Sequence, residues 1–412
     1  MTDALDHHIR AEPARPLLEV ADVVRAHGAE FLERHGDKLT SGQRRFLRDV
    51  VRCRTAALGG HVERCSDCGQ ESIAYNSCRN RHCPKCQGAA RARWLAREET
   101  FLLPVEYHHV VFTLPAELAS LVLANPRVGY TLLFQAARDT LLELAADPRH
   151  LGAQPGILMV LHTWGQNLHF HPHVHCVVTG GGLACDVRGR VSADSGWRAC
   201  RPGFFLPVRV LSRLFRGKYL AALCQAHDTD KLHFAGGSAF LAERPAFQTL
   251  VSNLYRKEWV VYAKPPFGGP EQVLKYLARY THRVAISNAR LLSLNDGRVT
   301  FRYKDYSDDH RHKTMTLSAD EFLRRLLLHI LPRGFVKIRH VGLLANRNRA
   351  ANLAQARRVL PAAQAAGAAT SGSAADTRSA RTERTCPQCG SPHLQRRLLL
   401  AVSPPIVCCN SS

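Results

Sequence analysis

The stretch HFHPHVHCVVTGGG, residues 169–182, sets His169, His171, His173 and His175 at alternate positions ahead of an apolar run. Alternate side chains of a strand share a face. His173 and His175 therefore point the same way, with Val174 packed behind them. Two neutral imidazoles converging on one point make half of a metal site, whereas a single histidine there would more often be a satisfied core residue. By the same alternation the neighbouring strand offers His162, Trp164 and Gln166 on one face. Gln166 is the favoured third ligand, with His162 or His169 as alternatives. An amide oxygen, two imidazoles and open positions suit Mg²⁺ or Mn²⁺ as a working ion, whose coordination a phosphate oxygen can complete.

A nucleophile for such a site is offered by VLKYLARYTHRVAISN, residues 273–288, which spaces Tyr276 and Tyr280 four apart. On a helix that spacing puts both phenols on one face. Core packing is the ordinary reason for such a pair, but Lys275, Arg279, His282 and Arg283 crowd the same segment. A cationic surround favours a phenolate and holds a phosphate. The tyrosines thus read as nucleophiles, with Lys275, Arg279 and Arg283 as DNA contacts.

The chain carries 14 cysteines, many of them in pairs. Cys65-Ser-Asp-Cys68 and Cys83-Pro-Lys-Cys86 are two knuckles, and together they would complete the tetrahedral thiolate set of one structural zinc. Cys53, His61, Cys78 and His82 surround them and could supply a second ion or pack around the first. Within YNSCRNRHCPKC, such a metal would hold Arg79, Arg81 and Lys85 toward phosphates, so the module reads as DNA recognition.

Residues 16–58 and 91–103 read as helical, with a polar, cysteine-rich module between them. YHHVVFTLP (107–115), GILMVLHTWGQ (156–166) and HVHCVVTGGG (173–182) read as strands, the last two as an antiparallel hairpin. Helices are expected up to about residue 146 and over 208–225, 271–283 and 319–330, with a hairpin turn at Asn295-Asp296-Gly297. Helices interleaved with antiparallel hairpins predict an α+β fold. Its expected parts are N-terminal helices and a zinc module at 1–100, a sheet domain at 104–345, a flexible linker at 346–385, and a tail at 386–412 carrying Cys386, Cys389, Cys408 and Cys409.

Lys and Arg number 56 against 34 Asp and Glu, a net charge of +22 with histidine neutral. Such a surface attracts polyanions. No apolar run reaches the roughly 18 residues a membrane span needs, and MTDALDHHIRAEPARP has no signal-peptide core. Nucleic acid in the cytoplasm is the partner these facts leave. Arg209, Arg213, Arg216 and Lys218 on one helix, and Arg333, Lys337, Arg339 and Arg347 beyond the sheet, would guide a strand; each alone is equally a solvated surface charge.

Over residues 15–350 the chain resembles the rolling-circle transposases of the insertion sequence 91 family, within the wider His-hydrophobe-His endonuclease class. YNSCRNRHCPKCQ, VVFTLP, HPHVH, YLARYTHRVAISN and LPRGFVKIRHVGLLAN carry the resemblance, in that order. It implies a ferredoxin-like antiparallel sheet holding the metal at His173 and His175, a helix holding Tyr276 and Tyr280, and a small helical, zinc-ribbon-like N-terminal domain. It also implies nicking and rejoining of single-stranded and transposon-end DNA through a 5′-phosphotyrosine. Structural Zn²⁺ and catalytic Mg²⁺ or Mn²⁺ would serve a cytoplasmic, nucleoid-associated prokaryotic enzyme. Two rivals stay open. A plasmid replication initiator or relaxase would share the chemistry, and a zinc-dependent DNA-binding protein would need the cysteines and the charge but no tyrosine.

Overall fold

The computed structural model describes residues 17–203, 205–267, 272–273, 276, 284–305, 308–360 and 385–402. Lys275, Arg279, Tyr280, His282, Arg283, Cys408 and Cys409 lie outside the described residues.

Helices α1 (Val20–His35) and α2 (Ser41–Arg52) come first among the described residues. A capping box starts α2: the Thr40 hydroxyl accepts from the Gln43 N–H at 3.3 Å, and the Gln43 amide oxygen accepts from the Thr40 N–H at 2.8 Å. Strands β1 (Gly60–Cys65) and β2 (Glu71–Tyr75) and helix α3 (Gln87–Glu99) follow. Next come β3 (Tyr107–Thr113), α4 (Ala119–Ala124), α5 (Pro126–Ala146), β4 (Ala153–Trp164), β5 (Phe170–Ala184), β6 (Trp197–Ala199), α6 (Val208–Asp228), α7 (Arg244–Arg256) and β7 (Val261–Phe267). The chain continues through β8 (Leu291–Asn295), β9 (Arg298–Asp305), β10 (Arg311–Ser318), a helix at Ala319–Leu327, β11 (Ile338–Gly342), a helix at Arg349–Val359 and β12 (Leu394–Leu399).

The main sheet has the order β11-β4-β5-β3-β7, antiparallel throughout, with β6 added beside β5. The run β3-α5-β4-β5-α6-β7 is a βαββαβ unit whose strands lie in the order β4-β5-β3-β7, the ferredoxin-like arrangement. Strand alternation sorts its side chains into two layers. Val110, Phe112, Met159, Leu161, Val174 and Cys176 pack beneath α5 and α6 against residues such as Phe134 and Phe215. The opposite face sets Val160 and Val177 against Trp94 of α3 and Leu353 of the helix Arg349–Val359. Each such apolar side chain contributes roughly 1.5–3 kcal/mol by burial. His109, His162, His173 and His175 share the parity of this second face.

The expected division near residues 100–104 is corrected by the packing. Val20, Phe31, Phe46 and Val50 of α1 and α2 share one core with Phe301 of β9 and with Phe322, Leu323 and Leu326 of the following helix. Val20 N donates to Asn288 Oδ1 at 3.2 Å, and Gln43 Nε2 donates to the Leu327 carbonyl at 2.9 Å, which fixes the two layers in register. Two short helices expose an apolar stripe that needs a covering layer, and here β8–β10 with that helix supplies it. The β8–β9 turn follows the sequence expectation: Asp296 and Gly297 take positive φ of 49° and 69°, the backbone of a two-residue hairpin turn.

Two further corrections fall at the C-terminal end. Residues Arg349–Val359, expected as linker, form a helix that buries Leu353 and Ala356 on the sheet. The tail is not a separate part either: β12 pairs antiparallel with β1 from Gly60↔Leu399 to Cys65↔Leu394. The sheet β12-β1-β2 therefore joins segments more than three hundred residues apart.

Candidate active site and metal centres

β3, β4 and β5 bring the histidines together. His162 lies directly opposite His173 in the β4–β5 pairing, and His175 is two residues further along β5. Potential ligand atoms of these three rings lie within 4.8 Å of one another. Their ring centroids are 4.6 to 5.6 Å apart, with the planes steeply inclined, so the rings converge rather than stack. His173 Nδ1 lies 2.6 Å from the His171 carbonyl. Its N–H donates there, so the ring's lone pair is on Nε2, the nitrogen through which it would bind an ion.

The third ring brought to His173 and His175 is His162, the alternative that the sequence offered beside the favoured Gln166. Gln166 sits in the turn between β4 and β5, where its carbonyl accepts from the Arg290 guanidinium. Of the four alternating histidines only two join the cluster. The β4–β5 register shifts between His162 and Trp164, because Trp164 faces Phe170 while His162 faces His173. That bulge at Pro172 interrupts the alternation, and His169 and His171 are left exposed.

Tyr276 completes the arrangement. Its hydroxyl lies 2.5 Å from His109 Nε2 and 3.0 Å from His175 Nδ1, and those two nitrogens are 2.9 Å apart. One set of tautomers serves both phenol contacts: the phenol donates to His109, and His175 Nδ1–H donates to the phenol oxygen. The lone pair of His175 is then on Nε2, the nitrogen through which it would coordinate. His109 is 4% exposed and stacks on His175 at 5.2 Å. Sequence reasoning missed His109; its signal was an odd-numbered place on β3, legible only once β3 is known to pair with β5.

Behind the cluster, His329 holds the hairpin. Its Nδ1 lies 3.2 Å from the Thr163 hydroxyl and its Nε2 3.1 Å from the Leu168 carbonyl, and burial pushes its pKa down to about 4. The ring is thus kept neutral, with one nitrogen donating and the other accepting.

The cysteines pair differently from the sequence expectation. Cys65, Cys68, Cys83 and Cys86 do not share one site. Cys83 and Cys86 join Cys53 and Cys78, whereas Cys65 and Cys68 meet Cys386 and Cys389, and each foursome lies within 4.8 Å. In the first group Cys86 Sγ is 3.4 Å from Cys53 and 3.5 Å from Cys78. Tetrahedral zinc with Zn–S of about 2.3 Å sets its sulfurs roughly 3.8 Å apart, so the donor set fits this metal. His61 and His82 stand outside both groups. His82 Nε2 accepts from the Leu331 N–H at 3.3 Å, and burial next to Arg81 and Lys337 pushes its pKa down to about 3.

Comparison with known proteins connects these features. A transposase zinc-binding domain family matches residues 23–114, and a putative transposase family matches residues 156–351. A putative transposase of Sinorhizobium fredii is 54% identical over 347 residues, 84% of this chain and 85% of that protein. The chain belongs to the insertion sequence 91 family of transposases. The transposase for insertion sequence element IS801 of Pseudomonas savastanoi pv. phaseolicola is 30% identical to it over 308 residues, 72% of this chain and 69% of that protein. No solved structure gives a significant match.

Two cations of the transposase expected to face phosphates are used internally instead. The Arg81 guanidinium donates to the carbonyls of Phe335 at 2.5 Å and Pro332 at 2.9 Å, and Lys85 pairs with Glu19 at 2.5 Å. Arg81 thereby ties the cysteine loop to the segment before β11. Arg79 stays exposed at a positive φ of 54°. Arg216 donates to the Lys257 carbonyl, Lys218 pairs with Glu143, and Arg339 lies over the Phe134 ring at 4.1 Å. Arg209, Arg213, Arg333 and Arg347 are exposed. A cleft of about 760 Å³ runs along β11, lined among others by Trp94, Arg97, Phe101, Lys337, His340 and Arg349. Burial and Arg81 push the Lys337 pKa down to about 8. The Lys337 carbonyl accepts from the N–H of Leu161, the neighbour of His162 in sequence, at 2.9 Å. Among the described residues no helix is long and apolar enough to cross a membrane.

Proposed function

We propose that this transposase nicks and rejoins single-stranded DNA at its element's ends through a 5′-phosphotyrosine, in a rolling-circle type of transposition. The observation that carries the reading is the Tyr276 hydroxyl, 2.5 Å from His109 and 3.0 Å from His175, a ring that is also part of the three-histidine cluster. A phenol in that position has a base on one side and a candidate ion ligand on the other.

His162, His173 and His175 would hold the divalent ion, which supplies Lewis-acid polarisation of the scissile phosphate. Three imidazoles suit Mn²⁺ better than Mg²⁺, which prefers oxygen donors. His109 Nε2 takes the phenolic proton as the Tyr276 oxygen bonds to phosphorus. The P–O3′ bond breaks, the 3′-oxygen leaves and takes up a proton, and the 5′-phosphoryl group stays on Tyr276. One phosphodiester has replaced another, so the step is reversible and the freed 3′-hydroxyl can reclaim the phosphate without a nucleotide cofactor. Tyr280, four residues on, would serve as the second nucleophile. The cleft along β11, with aromatic rings and cations on its walls, suits a single strand whose bases stack and whose phosphates pair. Lys275, Arg279 and Arg283 would hold the scissile phosphate, and Arg79 duplex or hairpin DNA nearby.

Purified protein with Mn²⁺ and labelled single strands from its element's ends should give a covalent adduct on a denaturing gel. Tyr276→Phe should abolish it, while Tyr280→Phe should leave the first adduct. Full adduct formation by Tyr276→Phe would overturn the assignment, and no adduct with any strand from a zinc-loaded, DNA-binding protein would favour a DNA-binding protein without catalysis.

A further inference from the structure

We infer that Cys65, Cys68, Cys386 and Cys389 form a second tetrathiolate zinc site, which clasps the C-terminal segment onto the N-terminal module. Cys65 and Cys68 fall inside the matched zinc-binding domain, residues 23–114, but Cys386 and Cys389 lie beyond both matched regions. The inference is independent of the chemistry proposed for Tyr276.

The sulfurs face each other in cross pairs, Cys65 to Cys389 and Cys68 to Cys386, each at 3.6 Å. That is near the roughly 3.8 Å edge of a tetrahedral zinc–thiolate site. Both halves are built alike. In CSDCG the Gly69 N–H donates to the Cys65 carbonyl at 3.0 Å and Cys65 N–H to the Gln70 carbonyl at 2.9 Å. In CPQCG the Gly390 N–H donates to the Cys386 carbonyl at 2.8 Å and Cys386 N–H to the Ser391 carbonyl at 2.7 Å. Gly69 and Gly390 each take φ of 73°, a left-handed turn that lets the chain fold back past its second thiolate. Ser66 N–H also donates to the His393 carbonyl at 3.0 Å, which joins one knuckle to the other.

Among the described residues, the sheet these knuckles terminate has little else to hold it. On β2 and β12 no residue is buried, and Ile73, Leu398 and Leu400 are exposed. Val62, Cys65 and Cys386 are buried but join none of the apolar cores. Three short strands with so few buried apolar side chains are not stable alone, whereas a structural zinc can supply the folding free energy outright. Four thiolates select zinc or an iron–sulfur centre. Separate knuckles closing on one tetrahedron are the arrangement of a zinc ribbon, so zinc is the ion assigned.

The test uses full-length protein, dialysed and assayed for metal by mass spectrometry. Wild type should carry two zinc equivalents per chain, one for each cysteine foursome. Cys386→Ser/Cys389→Ser should lose one equivalent and keep the other, while Cys78→Ser should lose the other instead. Cys389→His, which can still coordinate, should retain the metal and change the visible spectrum of the cobalt-substituted protein. A protease site engineered at about residue 372 gives a second readout. After cutting, the tail should co-elute with the body and be released by a strong chelator. Unchanged zinc content in the double serine variant, iron in place of zinc, or a cut tail that separates while zinc is bound would each overturn the proposal.

Discussion

The chemistry of single residues is where the candidate site is most exposed to test. Because His109 meets Tyr276 and His175 without being one of the three clustered ligand rings, its loss should leave ion binding in place and slow the proton transfer. His109→Gln should lower the rate of adduct formation by about 10²–10⁴-fold, with Mn²⁺ affinity measured by calorimetry unchanged. The cations divide in the same way. Arg209→Ala/Arg213→Ala removes exposed charges and should flatten the dependence of DNA affinity on salt, by about one unit of log–log slope for each phosphate no longer neutralised. Lys85→Ala should leave that slope unchanged, since its charge is already taken up by Glu19. Fluorescence anisotropy across a salt series separates the two.

At the scale of elements, alternation in β5 made His173 and His175 legible, because a period of two needs no knowledge of partners. His162 was harder to place, since choosing it over Gln166 needs the β4–β5 register. The bulge at Pro172 that sets this register is a tertiary accommodation. The cysteines were legible as knuckles but not as sites. Each CxxC names two ligands, and the partner of Cys65 and Cys68 stands more than three hundred residues away. Domain limits failed for a related reason: apolar spacing shows that α1 and α2 have a face to bury, not what will cover it. That cover is Phe322 and its neighbours. Phe322→Ala should therefore destabilise the shared core by about 3–5 kcal/mol, read by denaturant unfolding, and should shift the near-ultraviolet signal of the N-terminal half along with that of β8–β10.

Across the whole molecule, buried neutral histidines set the response to acid. Burial pushes His108 and His329 down to about 4 and, with nearby cations, His82 to about 3. Unfolded histidine titrates near 6.5. As pH falls below about 6.5 the unfolded chain takes up protons that the folded chain refuses, so stability declines from there toward pH 4. Denaturant midpoints should drop steadily over that window. In His329→Gln the decline should be shallower, even if the variant is less stable at neutral pH. The pairing of β1 with β12 carries a consequence for how the chain comes into being. A ribosome delivers β1 more than three hundred residues before β12, so the central strand of that small sheet waits for its second neighbour while all of those residues are made. A copy of the gene interrupted anywhere upstream of the codons for Leu394–Leu399 would yield a polypeptide whose sheet β12-β1-β2 is left unfinished.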